Sequence, residues 1–168
     1  MLVTCSTEYQ GDETLARAAI EGLRDERVRV VVTLADAYGA DLPSAPNARV
    51  ERFVPHRHIL ERAGAVVCHG GMGIVQKSVT AGVPLAVVPF GRDQPEVARR
   101  VSECGAGVML PSKKLTPERL RVAVREAIAR RPGAEAAGAR LRASGGPDRF
   151  ADEAEELLGD RAALSAVA

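Results

Sequence analysis

Apolar positions along the chain fall into short continuous runs, separated by stretches in which apolar residues recur every three or four positions. Continuous runs read as strands buried on both faces, and the longer spacing as helices with one apolar face. Met1 to Cys5 opens the chain as a buried strand. A polar turn through Ser6, Thr7, Glu8 and Tyr9 leads to a helix with Leu15, Ala19, Ile20 and Leu23 on one face and Asp12 at its N-cap. Val28 to Leu34 is a β-branched run, residues 40 to 44 form a loop, Arg49 to Phe53 is another strand, and His56 to Arg62 a short helix.

Ala65 to Cys68 is a strand running into His69, Gly70, Gly71, Met72 and Gly73, after which Ile74, Val75 and Val79 have helical spacing that Gly82 and Pro84 close. Leu85 to Val88 is the next strand, Asp93 opens a helix, Val108 to Leu110 is a last strand, and Thr116-Pro117-Glu118 starts another helix. From Arg131 the composition shifts to Ala, Arg, Gly and Glu. Gly145-Gly146-Pro147 then breaks the chain before Phe150, Ala154, Leu157 and Leu158, whose spacing predicts an amphipathic helix over 148–160 that must pack on something. Strands alternating with helices predict an α/β fold: a Rossmann-like parallel sheet with helices on both faces and ligands outside the carboxyl ends of the strands. The loops after Cys5, Phe53, Cys68 and Val88 are therefore the candidate sites.

The 168 residues are one domain's length. Aromatics are 3% with no Trp, which argues against a platform that stacks nucleic-acid bases, and a net charge of +1 supplies no field for DNA or anionic lipid. Cys5, Cys68 and Cys104 have no zinc-ligand spacing and read as reduced thiols of a cytoplasmic protein. The longest apolar stretch, Ala81 to Phe90, is too short to cross a bilayer and contains Gly82 and Pro84.

Three glycines between a strand and a helix let the backbone turn sharply and approach a ligand at the helix N-terminus, where unpaired amides favour phosphate. The same glycines would also serve a tight turn with no ligand. A dinucleotide fingerprint would need its glycines after the first strand, where Ser6-Thr7-Glu8-Tyr9 stands. Gly71 to Ser78 matches a P-loop except for Gln76 in place of the second glycine, and the following strand ends in Pro89, not in a magnesium-binding Asp. Asp93 with Glu96 and Pro95 also has the form of a helix cap. His56 and His58 lie one residue apart, with no third metal ligand evident.

With His-Gly-Gly-x-Gly after a strand, then Ala81-Gly82-Val83-Pro84 and Pro89 to Asp93-Gln94, the chain resembles the C-terminal domain of a GT-B family 1 glycosyltransferase, most of all actinobacterial natural-product enzymes. The likeness runs from Ser6-Thr7 through Arg52-Phe53-Val54-Pro55 to the helix start at Leu115 to Leu120. It implies a domain that binds a UDP- or dTDP-linked sugar, with no cofactor or metal, facing an N-terminal acceptor domain or separate subunit. Ser6 and Thr7 would approach the diphosphate, and Phe53, Val54 and His56 would border the base. His69 would hydrogen-bond a phosphate, Gly70, Gly71, Gly73 and Ile74 would line the turn with their amides, and Met72, Asp93 and Gln94 would meet the sugar. Two departures stand out: Ile74 replaces a frequent hydroxyl residue, and Lys77 a frequent Glu. Lys77, one turn into its helix, is expected to point its ammonium at the diphosphate or to be a solvated surface lysine.

The implied reaction is inverting transfer to a small-molecule hydroxyl, with the general base on the other domain and no catalytic residue in this chain. A GT-B epimerase or nucleotide-sugar-binding module, a P-loop phosphotransferase, and a non-catalytic assembly partner docking through the 148–160 helix are the alternatives. A homo-oligomer is a further expectation; nucleic acid and membrane are not expected partners.

Overall fold

The computed structural model describes residues 1–7, 11–35, 39 and 41–165, the last seven of these as backbone only. The turn expected at Glu8 and Tyr9, the first loop residue Ala40 and the final three residues lie outside the described residues.

The sheet comprises β1 (Leu2–Thr4), β2 (Val30–Thr33), β3 (Ala48–Glu51), β4 (Val66–Cys68), β5 (Leu85–Val87) and β6 (Gly107–Met109). Every pairing is parallel and the order is β3-β2-β1-β4-β5-β6. The helices are α1 (Glu13–Leu23), α2 (His56–Leu60), α3 (Met72–Thr80), α4 (Gln94–Glu103), α5 (Pro117–Ala129), α6 (Arg131–Ala143) and α7 (Gly146–Ser165), with a 3-10 turn at Ser112–Lys114.

Alternation along each strand divides the core in two. Val3, Val67 and Ala86 face one side with Leu15, Ile20 and Leu23 of α1 and Leu120 and Val124 of α5. Leu2, Val66, Cys68, Leu85 and Val87 face the other, with Leu60 of α2, Ile74 and Val79 of α3, Val97 and Val101 of α4, and Ala134 and Ala137 of α6. Both faces are therefore helix-covered, as continuous apolar strands require. Full burial of each Leu or Val contributes about 1.5–3 kcal/mol.

The order reverses between β1 and β4, because the chain goes outward to β3 before returning to β4. A crevice opens at such a point, beyond the strand ends. Thr33, Thr4, Cys68 and Val87 lie in one register row. The loops after β1, β4 and β5 thus leave the sheet side by side.

The expected 148–160 helix lies within α7, where Phe150, Leu157 and Leu158 are exposed. The stretch from Arg131, noted in sequence only as a composition shift, is the helix α6 packed on α3. No helix among the described residues is long and apolar enough to cross a membrane.

Candidate donor-binding site

Two loops meet at the switch point because Gly70 has no side chain. Its φ is +98°, a conformation that favours glycine, and a Cβ there would press on Val87 and on the Gln94 carbonyl. The turn after β4 can therefore touch the start of α4, which carries Asp93 and Gln94 beside it.

Gly71 caps α3, and the first intrahelical bond runs from the Val75 amide to the Gly71 carbonyl at 3.1 Å. The amides of Met72, Gly73 and Ile74 precede that bond, so the positive end of the helix dipole lies at the turn. The Ile74 side chain is buried in the core, which leaves its amide as the part of Ile74 at the turn.

The His69 ring lies over Gly71, where a Cβ would overlap Nε2. Its Nδ1 is buried and has no hydrogen-bond partner. Burial holds the imidazole below the usual histidine pKa, while Asp12, the Thr4 backbone and Asp93 pull it back up.

Ser6 is buried, and its amide donates to Asp12 Oδ2 at 2.5 Å. Asp12 stands at the N-cap of α1 as expected but makes no side-chain cap bond; the Ser6 amide, two residues beyond β1, takes its carboxylate instead. Asp93 likewise caps α4 by position without a side-chain cap bond. Glu96, the other half of the expected cap, pairs with Arg99 and Arg100 and is held down to about 2 by those bonds. Capping through a side chain therefore does not account for Asp93, which is exposed. Gln94 is buried, and its Oε1 accepts the Phe90 amide at 2.8 Å and the Gly91 amide at 3.3 Å, bracing the loop after β5.

A groove of about 970 Å³ runs between the loop after β3, α2 and α3. It gathers Thr7, Phe53, Val54, His56 and Lys77; Pro55, Leu60 and Thr80 are among its other lining residues, with Arg57 and Glu61 from the α2 side and Gln76 from α3. Phe53, on the wall of this groove, is 76% exposed. His56 Nε2 shares a hydrogen bond of 3.2 Å with Thr33 Oγ1 at the end of β2. Burial and the Lys77 charge keep its pKa below the usual value. Lys77 therefore stands on the His56 side of the groove. Met72 lies on the opposite flank of α3, in a separate apolar groove of about 340 Å³ with Val97, Val101 and Leu141.

Thr33 and Asp12 were not singled out as site residues from sequence. The available signal for Thr33 was a hydroxyl ending an apolar strand, and for Asp12 a lone carboxylate between the first strand and its helix. The P-loop alternative fails on geometry: α3 begins at Met72, leaving no wrapping loop, and Ser78, in the magnesium-binding position, is buried with its hydroxyl on the Ile74 carbonyl at 2.8 Å. Among the described residues no cluster of three His, Cys, Asp or Glu could hold a metal. Burial pushes the Cys5 and Cys68 thiols up to about 12, so both stay protonated and inert.

Residues 17–158 match the family model of the erythromycin biosynthesis protein CIII-like C-terminal domain. The chain belongs to this family. It is 41% identical over 143 residues to 4'-demethylrebeccamycin synthase of Lentzea aerocolonigenes, covering 83% of this chain and 33% of that protein. The crystal structure of CalG4, the calicheamicin glycosyltransferase, superposes with a TM-score of 0.81 at 32% identity, over 94% of this chain and 41% of that one. Glycosyltransferase VinC, solved in complex with dTDP, gives 0.69 at 29% identity, over 90% of this chain and 39% of that one. The domain spans about a third to two-fifths of the length of these relatives.

Proposed function

We propose that the domain binds the donor of a glycosyltransferase, a UDP- or dTDP-linked sugar, and serves its transfer to a hydroxyl of a small natural-product acceptor. The observation that carries this is that α3 joins two features: its N-terminus lies at the turn that holds the unpartnered Nδ1 of His69, and its Gln76 and Lys77 line the groove walled by Phe53, Val54 and His56. An anion fits the first, and a flat ring with a ribose fits the second.

The base lies against Phe53 and Val54, and the diphosphate reaches past Thr7 to the α3 amides and His69. Asp93, exposed and free of side-chain capping, accepts hydrogen bonds from sugar hydroxyls. In the transfer, the acceptor oxygen loses its proton to a base outside this chain and attacks the anomeric carbon, inverting it. The bond from that carbon to the diphosphate oxygen breaks, and its electron pair stays on the diphosphate. Helix amides and His69 stabilise that charge, and no metal or cofactor is required. The acceptor and its base come from a second domain or subunit, against which α7 presents Phe150, Leu157 and Leu158, and the assembled enzyme works in the cytoplasm.

Titration calorimetry of the folded chain against UDP, dTDP and GDP, with chelator present, tests this. Binding of UDP or dTDP is expected and names the nucleotide. A chain folded by circular dichroism that binds none of them overturns the proposal.

A further inference from the structure

Thr4 and Cys68 are paired in register, so the chain leaving β1 and the chain leaving β4 emerge as neighbours. The first carries Ser6 and, six residues on, Asp12; the second carries His69. Asp12 is 1% exposed. One carboxylate oxygen takes the Ser6 amide, the Asp12 carbonyl accepts the Cys5 thiol proton at 3.3 Å, and Oδ1 is buried with no partner. His69 Nδ1 is buried and unpartnered as well. A buried carboxylate with an empty acceptor is costly, and proteins retain one where its charge has a use.

We propose that Asp12 is a positioning residue of the diphosphate site: its buried carboxylate fixes the Ser6 turn and sets a negative charge, across the switch point, beside the strand end that carries His69, the ring that an anionic ligand recruits. This rests on the donor-binding reading above. Asp12 stabilises imidazolium more than the Thr4 backbone or Asp93 does, while burial opposes it. Among the described residues, Asp12 on the β1–α1 turn and Asp93 at the start of α4 are the charged groups that act on the ring. Cys5, beside Asp12, stays a neutral thiol, and Glu13 is the first residue of α1. In the free domain burial keeps the ring largely neutral. An arriving diphosphate adds negative charge, the ring takes up a proton, and Asp12 lowers the cost of that proton.

Asp12→Asn keeps the shape and an oxygen for the Ser6 amide while removing the charge; Asp12→Ser is a second neutral variant should the first not fold. Two quantities are read: the His69 midpoint by NMR titration of the free domain, and the affinities for UDP, dTDP and the matching nucleosides at pH 7. The midpoint is expected to move to lower pH. The favoured nucleoside diphosphate is expected to bind about three- to tenfold more weakly, with nucleoside affinity unchanged. A merely nearby negative charge predicts the opposite sign, because its removal would tighten binding of an anion. An unmoved His69 midpoint, or tighter diphosphate binding, overturns the proposal. If the parent domain binds neither nucleotide, the donor-binding reading fails, and the midpoint alone still decides whether Asp12 governs His69.

Discussion

The imidazole of His69 occupies the space that a side chain on residue 71 would fill, lying against the bare backbone of Gly71. The φ of Gly71 is −60°, open to any residue, so the ring is the obstacle to a side chain there. Gly71→Ala should cost about 1–3 kcal/mol, the usual range for overpacking, and displace the ring. In a His69→Ala background the same change should cost little. A double-mutant cycle read by urea denaturation checks this; additive costs would mean that Gly71 serves something other than the histidine.

Asp93 and Gln94 adjoin in sequence and divide the work at the start of α4. Gln94 is buried and accepts two loop amides. Gln94→Ala leaves both without an acceptor and should destabilise the domain by about 2 kcal/mol, whereas Gln94→Glu retains the oxygen and should lose less. Asp93→Asn, at an exposed position, should stay within about 0.5 kcal/mol of the parent. Its effect should fall on turnover of the nucleotide sugar by the complete enzyme. Equal denaturation midpoints for Gln94→Ala and Asp93→Asn would sink this division.

The central strands β1, β2, β4 and β5 are legible because strands buried on both faces are continuously apolar, and the glycine turn because Gly70 takes a φ that few other residues allow. Helix α6 is not. It meets α3 through Ala134, Ala137 and Gly138, and a Cβ on Gly138 would overlap the Val79 carbonyl. Close backbone approach selects small residues, and a stripe of alanines lacks the contrast that a 3.6-residue period needs to show. Residue type marks Asp12 as a cap and leaves Asp93 either a cap or, by the family resemblance, a sugar contact; where each carboxylate turns depends on a neighbouring strand or loop. Thr33 reaches His56 only when β2 and α2 meet, a relationship 23 residues apart in sequence.

Acidification should destabilise the domain in a window set by two histidines. Burial holds His56 and His69 below the usual value, so both are depressed in the folded state, while in the unfolded chain they protonate at about 6.5. As pH falls through that value the unfolded chain binds more protons, and stability drops until the folded-state values are passed. Glu96 and Glu118 act in a lower window, since their depressed values matter only as pH falls below the ordinary 4.5. The urea midpoint should therefore decline between about pH 7 and 5, and His56→Gln and His69→Gln should each flatten that decline. An unchanged slope in both variants would rule out the histidines as its source.

Lys77 offers the sharpest test of how the groove is used. It shares a wall with Thr7 and His56, and its charge is one reason why His56 stays neutral. Lys77→Met keeps most of the stem and removes the ammonium, so the His56 midpoint should rise. If the ammonium reaches the diphosphate from this wall, the variant should bind the nucleoside diphosphate about two- to sixfold more weakly, the effect of an exposed charge contact, and the nucleoside equally well. Equal loss for both ligands would place Lys77 at the ribose or base. No loss for either, with the His56 midpoint still raised, would make it a solvated lysine whose charge reaches the histidine and not the ligand.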